Sequence, residues 1–468
     1  MFVERAPAIL DGFELTDADA PIVSDICRKL GGVALAIELA AARTDAFGIQ
    51  QLAVLLDDRF RILKQGKRTA QPRHRSLTAT LDWSYEFLPE SERLVLCRLS
   101  VFAGAFTLTS AIAVAEDDTD VVDALANLVA KSLVSADVGG ATVLYRLLDT
   151  TRAYATQKLA DTGDLGKYSR RHARHHLDWF KRAEADWRAQ TKGEWIIVYG
   201  RKLDDVRVAL NWAFAPGGDA SIGIELTEAS IPLWFELSLL HECRERLERA
   251  LAGLAAQADP NERIELHLRV WHAHTLTYVV RRLQEIGDHH WSPTLALAEK
   301  LGDSATQARI LHHWTVYCLY IGDYRRALAL AEKICVIAAD SDEDWLQMMG
   351  QGIAAEALYF LGSHSEAARR ILPLLRKSAL PRLHFLTAYR IAGNSAASTI
   401  LWVLGLPDQA FARAKAAVGE ASGTENRLPL SGALIKPCQV ALHVGDFTTA
   451  SSWVEMLLDC TAKMALGS

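Results

Sequence analysis

Apolar residues recur three and four positions apart along most of this chain, the spacing of one face of an α-helix. Ile22, Ile26 and Leu30 form one such face. Gly31 and Gly32 interrupt it, and Val33, Ile37 and Ala40 resume it. Leu52, Leu55, Leu56 and Phe60 mark another amphipathic helix, so residues 1–70 read as a small helical bundle. In residues 71–162, Leu77, Leu81, Tyr85 and Leu88 share a helix side, and Pro89 starts a second helix. "LTSAIAVAE" predicts a short third helix, and "VVDALANLVAKSLV" a fourth with Val122, Leu125, Leu128 and Val129 inward. "SLVSADV" and "TVLYRLL" then predict two short strands around a Gly139-Gly140 turn, before "TTRAYATQKLADTG" returns to helix. Helices followed by a hairpin predict a winged helix.

Residues 163–468 contain an internal repeat. The strings "IGDYRRA", "LGSHSEA", "LGLPDQA" and "VGDFTTA" each place an alanine five positions after a glycine. The glycines are Gly322, Gly362, Gly405 and Gly445, with a helical pattern on either side of each. Glycine suits the tight turn between two helices, and alanine lets them approach. The pattern resembles tetratricopeptide-type repeats with a longer period. The fold expected is therefore mostly α: a helical bundle, a winged helix with a small β-hairpin, and an α-α repeat superhelix.

The 468 residues are 50% hydrophobic, enough for about three domains. A net charge of -6 gives no global attraction to nucleic acid or anionic lipid. Seven dispersed cysteines without a CxxC pair suggest reduced thiols in the cytoplasm. Glu4 and Arg5 stand where a signal peptide would be apolar, and no apolar run reaches the ~18 residues that span a bilayer, so no membrane partner is expected.

Candidate chemistry is sparse. The helix before the wing presents Asp120, Asp123, Asn127 and Lys131, and the wing tip "VGGAT" holds no Lys or Arg. Phosphate contacts need cations, so DNA is not the expected partner of this unit. "RRHARHH", Arg170 to His176, is the most basic patch, read as a solvated linker helix with nucleic-acid binding as the alternative. His267, His272, His274, His289, His290, His312 and His313 cluster, and His267 and His274 share a helix face. No acid or cysteine pattern completes a ligand set, so no metal site is expected. Trp234, Trp314 and Trp402 read as core, with a partner groove as the alternative. No GxSxG string supports a hydrolase and no GxxxxGK[ST] phosphate loop is present. The nearest string, "GDLGKYS" from Gly163, reads as a helix-to-helix turn. No catalytic residue is assigned, and the chain is not expected to be an enzyme.

"LGGVALAIELAAAR", "LLDDRFRIL" and "RHRSLTATLDWSYEFL", with "NWAFAPGGDASIGIELTEASIPLW" further on, carry a resemblance. The chain resembles, over nearly its whole length, bacterial winged-helix signal-transduction ATPase regulators of the NB-ARC (AP-ATPase, STAND) class with tetratricopeptide-like repeats. The resemblance implies a lid-like bundle in 1–70, an internal regulatory winged helix in 71–162 and a sensing repeat domain in 163–468. In that family the glycine turn is followed by Leu-Pro-Leu-Ala, whose proline region packs near the adenine nucleotide. Ala34 holds that position here. Where related proteins carry Met-His-Asp this chain has Leu147, Leu148 and Asp149. Leu148 cannot hydrogen-bond phosphate, and Asp149 also reads as a helix N-cap. Ala34 and Asp149 are thus the family's nucleotide-proximal positions.

The resemblance places the phosphate-binding sheet before Met1, so either the coding start is misplaced or the ATPase core has been lost. No cofactor is expected for this chain, and ADP or ATP only with an upstream phosphate-loop domain. The function expected is that of a signal-sensing part of an ATPase-type transcriptional regulator, binding a protein or small effector on its repeats. The alternatives are a complete ATPase switch whose first domain is missing, and a DNA-binding winged-helix protein.

Overall fold

The computed structural model describes residues 16, 19–29, 37, 41, 44–55, 81, 85–86, 88–117, 119–131, 133–140, 142–183, 185–186, 192–279, 287–339, 344–376, 384–422 and 427–465. Gly31, Gly32 and Ala34 lie outside the described residues, as does most of the helix expected from Leu77. The chain divides into two compact units, residues 1–176 with 201–219, and residues 177–200 with 220–468. The first unit therefore extends past residue 162, where the winged-helix pattern stops. The fold is mostly α, with one two-stranded sheet among the described residues.

In the first unit, α1 (Ala20–Lys29) packs on α2 (Thr44–Leu55), with Val23, Ile26, Ile49 and Leu52 buried. The winged helix follows as α3 (Glu90–Leu99), α4 (Leu108–Ala115), α5 (Val121–Ala130), β1 (Val134–Asp137), β2 (Leu144–Leu147) and α6 (Asp149–Asp161). Each start has a local cause. Pro89 fixes the residue before α3. Thr107 Oγ1 accepts from the Ser110 amide at 3.1 Å, and Asp120 Oδ1 from the Val122 and Asp123 amides at 2.9 and 3.2 Å. β1 and β2 pair antiparallel from Val134↔Leu147 to Asp137↔Leu144, and Phe106 bridges to Tyr145. Their inward residues close one core with Leu96, Leu99, Phe102, Phe106, Val114, Leu125 and Leu128.

Three expectations shift here. Val122 is exposed and Val121 buried, because the helix packs into the core through 121, 124, 125 and 128. The strands stop at Asp137 and resume at Leu144, so the connection is longer than a Gly-Gly turn. Asp137 Oδ1 accepts from the Gly139 amide at 3.0 Å and shapes it. Leu148, not Asp149, is the N-cap of α6; Asp149 is its first residue, 3.9 Å from Arg152. A carboxylate there favours the helix dipole without capping it.

"GDLGKYS" is a helix-to-helix turn, with Gly163 at φ 81° between α6 and α7 (Leu165–Phe180). Two further helices, α8 (Lys192–Tyr199) and α9 (Leu203–Ala213), belong to the second and first units respectively.

The second unit continues with α10 (Ala220–Ala229), α11 (Ile231–Glu236), α12 (Leu240–Ala255), α13 (Glu262–Val279) and α14 (Asp288–Lys300). The repeat then runs as α15 (Ser304–Ile321), α16 (Tyr324–Ala339), α17 (Asp344–Phe360), α18 (His364–Ile371), α19 (His384–Val403), α20 (Pro407–Ser422), α21 (Arg427–His443) and α22 (Phe447–Ala465). Each first helix packs on its own second helix and on the first helix of the next pair. Gly322, Gly362, Gly405 and Gly445 sit in the left-handed region at φ 84°, 82°, 77° and 82°. At each, the next amide turns back to the carbonyl five residues earlier, at 2.9–3.0 Å: Asp323 to Cys318, Ser363 to Leu358, Leu406 to Leu401, Asp446 to Ala441. This satisfies a carbonyl that the helix end leaves unpaired. Ala327, Ala367, Ala410 and Ala450 then make the first hydrogen bond of the second helix and are buried. Gly302 makes the same turn between α14 and α15, with Asp303 bonding Ala298. Trp234 and Trp314 are buried, and Trp402 packs on the last core and stacks on His443.

No described helix is long and apolar enough to cross a membrane. A Cβ at Gly322 would meet nothing within 4 Å, so Gly322→Ala carries only the backbone penalty. It is expected to cost about 1 kcal/mol, read as a lower urea midpoint with unchanged helical circular dichroism.

Candidate functional site

The DNA-reading position of a winged helix is the exposed face of α5. Its exposed positions are Val122, Asp123, Ala126, Asn127 and Ala130, which include one carboxylate and no cation. Lys131 follows the helix, and its ammonium is paired with the buried Glu92. A phosphate contact by Lys131 would therefore strand a buried carboxylate.

The basic patch differs from a solvated linker. In α7, Tyr168, His172, Ala173 and His176 are buried, at the three- and four-residue spacing of one helix face. Three cations point the other way and are engaged, Arg170 with Asp219 at 2.7 Å, Arg171 with the Glu116 carbonyl at 2.7 Å and Lys167 with Asp117, while Arg174 is exposed. These pairs lower the patch's value as a phosphate site.

Beneath them lies a buried polar centre. Asp205 of α9 is fully buried. Its Oδ1 accepts from the consecutive amides of Ala103 and Gly104 at 2.7 and 3.2 Å, and lies 3.3 Å from His172 Nε2. A Cβ at Gly104 would come within 3.1 Å of Asp205 Oδ2, so glycine permits this approach. Burial alone pushes the Asp205 carboxyl pKa up, but the His172 hydrogen bond and the neighbouring imidazoles and Lys202 outweigh it and hold it well below the ordinary carboxylate range. His176, edge-on to His172 with ring centres 4.5 Å apart, is pushed well below its ordinary value by burial and then by His172. Lys202 donates to the Ala105 carbonyl at 3.2 Å, and burial lowers its pKa. The sequence left one usable signal for this centre, the i, i+4 spacing of His172 and His176. Asp205 in "LDDVRVAL" gave none.

The histidines of the second unit split into separate contacts. Trp271 Nε1 donates to His267 Nε2 at 2.8 Å, which leaves His267 Nδ1–H for Glu228 Oε1 at 2.9 Å. His274 on α13 and His313 on α15 share a proton between Nδ1 atoms 3.0 Å apart, and Phe235 stacks on His274. His312 meets Tyr389 edge-on. Burial pushes His274 down to about 3 and His312 to about 4, and takes His313 well below 6.5. Among the described residues no three of this group converge at ligand distance. Of the nucleotide-proximal positions, Asp149 opens α6 beside Arg152, Leu147 is buried in the winged-helix core, and Ala34 lies outside the described residues.

The comparisons agree with this geometry. Residues 88–160 match the family model of the winged helix-turn-helix domain. These residues form a winged helix-turn-helix. A Mycobacterium tuberculosis protein named "Putative HTH-type transcriptional regulator" is 36% identical over 249 residues, which cover 52% of this chain and 28% of that protein. A second protein of that organism, named as uncharacterized, is 38% identical over 180 residues, covering 37% of this chain and 46% of that protein. The chain thus spans less than half the length of each. Among solved structures, a signal-transduction ATPase with a tetratricopeptide repeat sensor from Pyrococcus horikoshii aligns at TM-score 0.44 and 13% identity, over 92% of this chain and 67% of that chain. A likeness of that size assigns nothing.

Two predictions follow from the buried groups. A histidine whose folded pKa lies below its unfolded value leaves the unfolded chain holding more protons, so stability falls as pH drops below about 6.5 toward the folded values. With His274, His312 and His313 shifted down, unfolding at pH 5 should take up roughly three protons from them, seen as a steep fall in Tm between pH 6.5 and 5. His312→Gln should remove about one of those protons and flatten the slope correspondingly. Asp205→Ala would strand two backbone amides and His172, and should cost about 3–5 kcal/mol in chemical unfolding.

Proposed function

We propose that this chain is a regulatory and signal-sensing segment of a transcriptional regulator. In this reading the winged helix is an internal module rather than the DNA reader, and the helical repeats receive a protein or small effector. The observation that carries it is the face of α5: a carboxylate, no cation, and a following Lys131 tied to Glu92. A duplex presents a line of phosphates, and binding of even the non-specific kind rests on cations that replace its counterions. The relative from Mycobacterium tuberculosis supports the regulatory class through its name. The tandem helix pairs support a binding role, since stacked repeats expose long continuous surfaces.

No catalysis is assigned to this chain. The resemblance to ATPase regulators makes nucleotide binding the property of a phosphate-loop domain that this sequence does not contain. Asp149 and Ala34 lack phosphate donors of their own, so they would not hold ADP without it.

The second reading, direct DNA binding, is favoured by the winged helix-turn-helix match. Fluorescence anisotropy separates the two. With a generic 20–30 base-pair duplex at about 50 mM salt, no saturable rise is expected up to tens of micromolar protein, where phosphate-driven binding reaches ~1–100 μM dissociation constants. A saturable rise that weakens steeply with salt would overturn the internal-module reading. A parallel titration with a fluorescent ADP analogue is expected to show no binding, and saturable binding would restore the ATPase reading.

A further inference from the structure

The buried centre of the first unit holds more donor atoms than its hydrogen bonds use. His176 is fully buried, and neither ring nitrogen has a hydrogen-bond partner among the described residues. Asp205 Oδ2 is likewise buried without a partner. A buried polar atom left unpaired is destabilising. His176 can present one of its ring nitrogens, together with His172 and Asp205, to a single ligand in this buried centre.

The geometry suits a cation better than a water or an anion. His172, His176 and Asp205 each offer an atom, and all three atoms lie within 4.8 Å of one another. His172 and His176 are four residues apart on α7, the spacing by which one helix face presents two imidazoles to one metal ion. His172 Nε2 and Asp205 Oδ1 are 3.3 Å apart, long for a charge-assisted hydrogen bond. Two ligands about 2.0–2.1 Å from a tetrahedral centre lie about 3.3–3.4 Å apart, so this pair matches two ligands of one metal ion. The Ala103 and Gly104 amides fix the carboxylate from behind, as outer partners of a metal ligand do.

We propose that His172, His176 and Asp205 form a binding site for one divalent transition-metal ion. Two imidazoles and one carboxylate select the borderline ions, zinc foremost, over calcium or magnesium, which take oxygen sets. The ion clips α7 to α9 and, through the Ala103 and Gly104 amides, to the segment between α3 and α4. Its role is structural: the ligands are sealed from solvent, which leaves no access for a substrate. Lys202 lies beside it, and its ammonium is directed to the Ala105 carbonyl.

The test uses the full chain, stripped with a chelator and dialysed. Zinc titrated against a chromophoric competitor should bind at one equivalent with micromolar or tighter affinity and raise Tm. His176→Phe, which replaces the unpaired ring by an apolar one beside Phe102, should fold and lose that equivalent; His313→Phe should keep it. Cobalt should give visible ligand-field bands without the near-ultraviolet charge transfer of thiolate ligation, which separates this site from the cysteines. If His176→Phe does not fold, His176→Gln is read by the same cobalt bands. No stoichiometric zinc in the natively folded wild type, a thiolate cobalt spectrum, or an unchanged equivalent in the folded His176 variant would each overturn the proposal.

Discussion

A carboxylate taken fully out of water must be met by donors, and the first unit is organised around meeting one. Asp205 sits in a helix about a hundred residues beyond the winged-helix segment it holds. Its oxygen takes two consecutive backbone amides, at Ala103 and Gly104, in the short stretch between α3 and α4. Those half-buried amides belong to no helix or strand, so without Asp205 they would lose this acceptor. His172 brings α7 to the same oxygen. One side chain thereby fixes three segments, and each would have to find a different partner if it were lost. The winged-helix core is apolar and could be built many ways, whereas this polar centre accepts one arrangement.

The second unit meets a different form of the same requirement. Every helix end leaves carbonyls without partners, and a repeat of helices multiplies the number of ends. Five of these ends are closed alike: a left-handed glycine, then an amide folding back to the carbonyl five residues earlier. Asp303, Asp323 and Asp446 then cap the following helix through their own carboxylates. The residue after the glycine thus closes one helix and opens the next. The alanine that follows is small because it faces the helix just left behind. Glycine spacing and alanine position are two consequences of one turn, which is why they recur together.

This explains what the sequence discloses and what it conceals. The turns were legible because their chemistry is local and repeated: Gly, a capping residue and Ala within six positions. The hairpin strands were legible for the same reason. Val122 faces outward because periodicity fixes the spacing of a helix face, while packing of Val121 and Ala124 into the core fixes its phase. The Asp205 centre was concealed because its partners, 103–104, 172 and 205, are distant in sequence. The basic letters of "RRHARHH" also disguised two inward histidines among outward arginines. Apolar periodicity cannot report a buried polar residue, since it counts His as polar wherever it points.

The same distinction bears on the winged helix. Three helices closed by a hairpin are a packing solution, specified by Leu96, Phe102, Phe106, Leu125, Leu128 and their neighbours. Reading DNA is a property of the surface laid over that solution, and surface charge varies without disturbing the core. Here the exposed side of α5 is small and acidic. The next lysine is bound to a buried glutamate, and Arg170 and Arg171 of α7 are turned to Asp117, Asp219 and the Glu116 carbonyl. Each of these paired cations has an intramolecular anion or carbonyl to leave before it could meet a phosphate, whereas Arg146 on β2 and Arg174 on α7 are exposed. Those ion pairs hold the unit together from within.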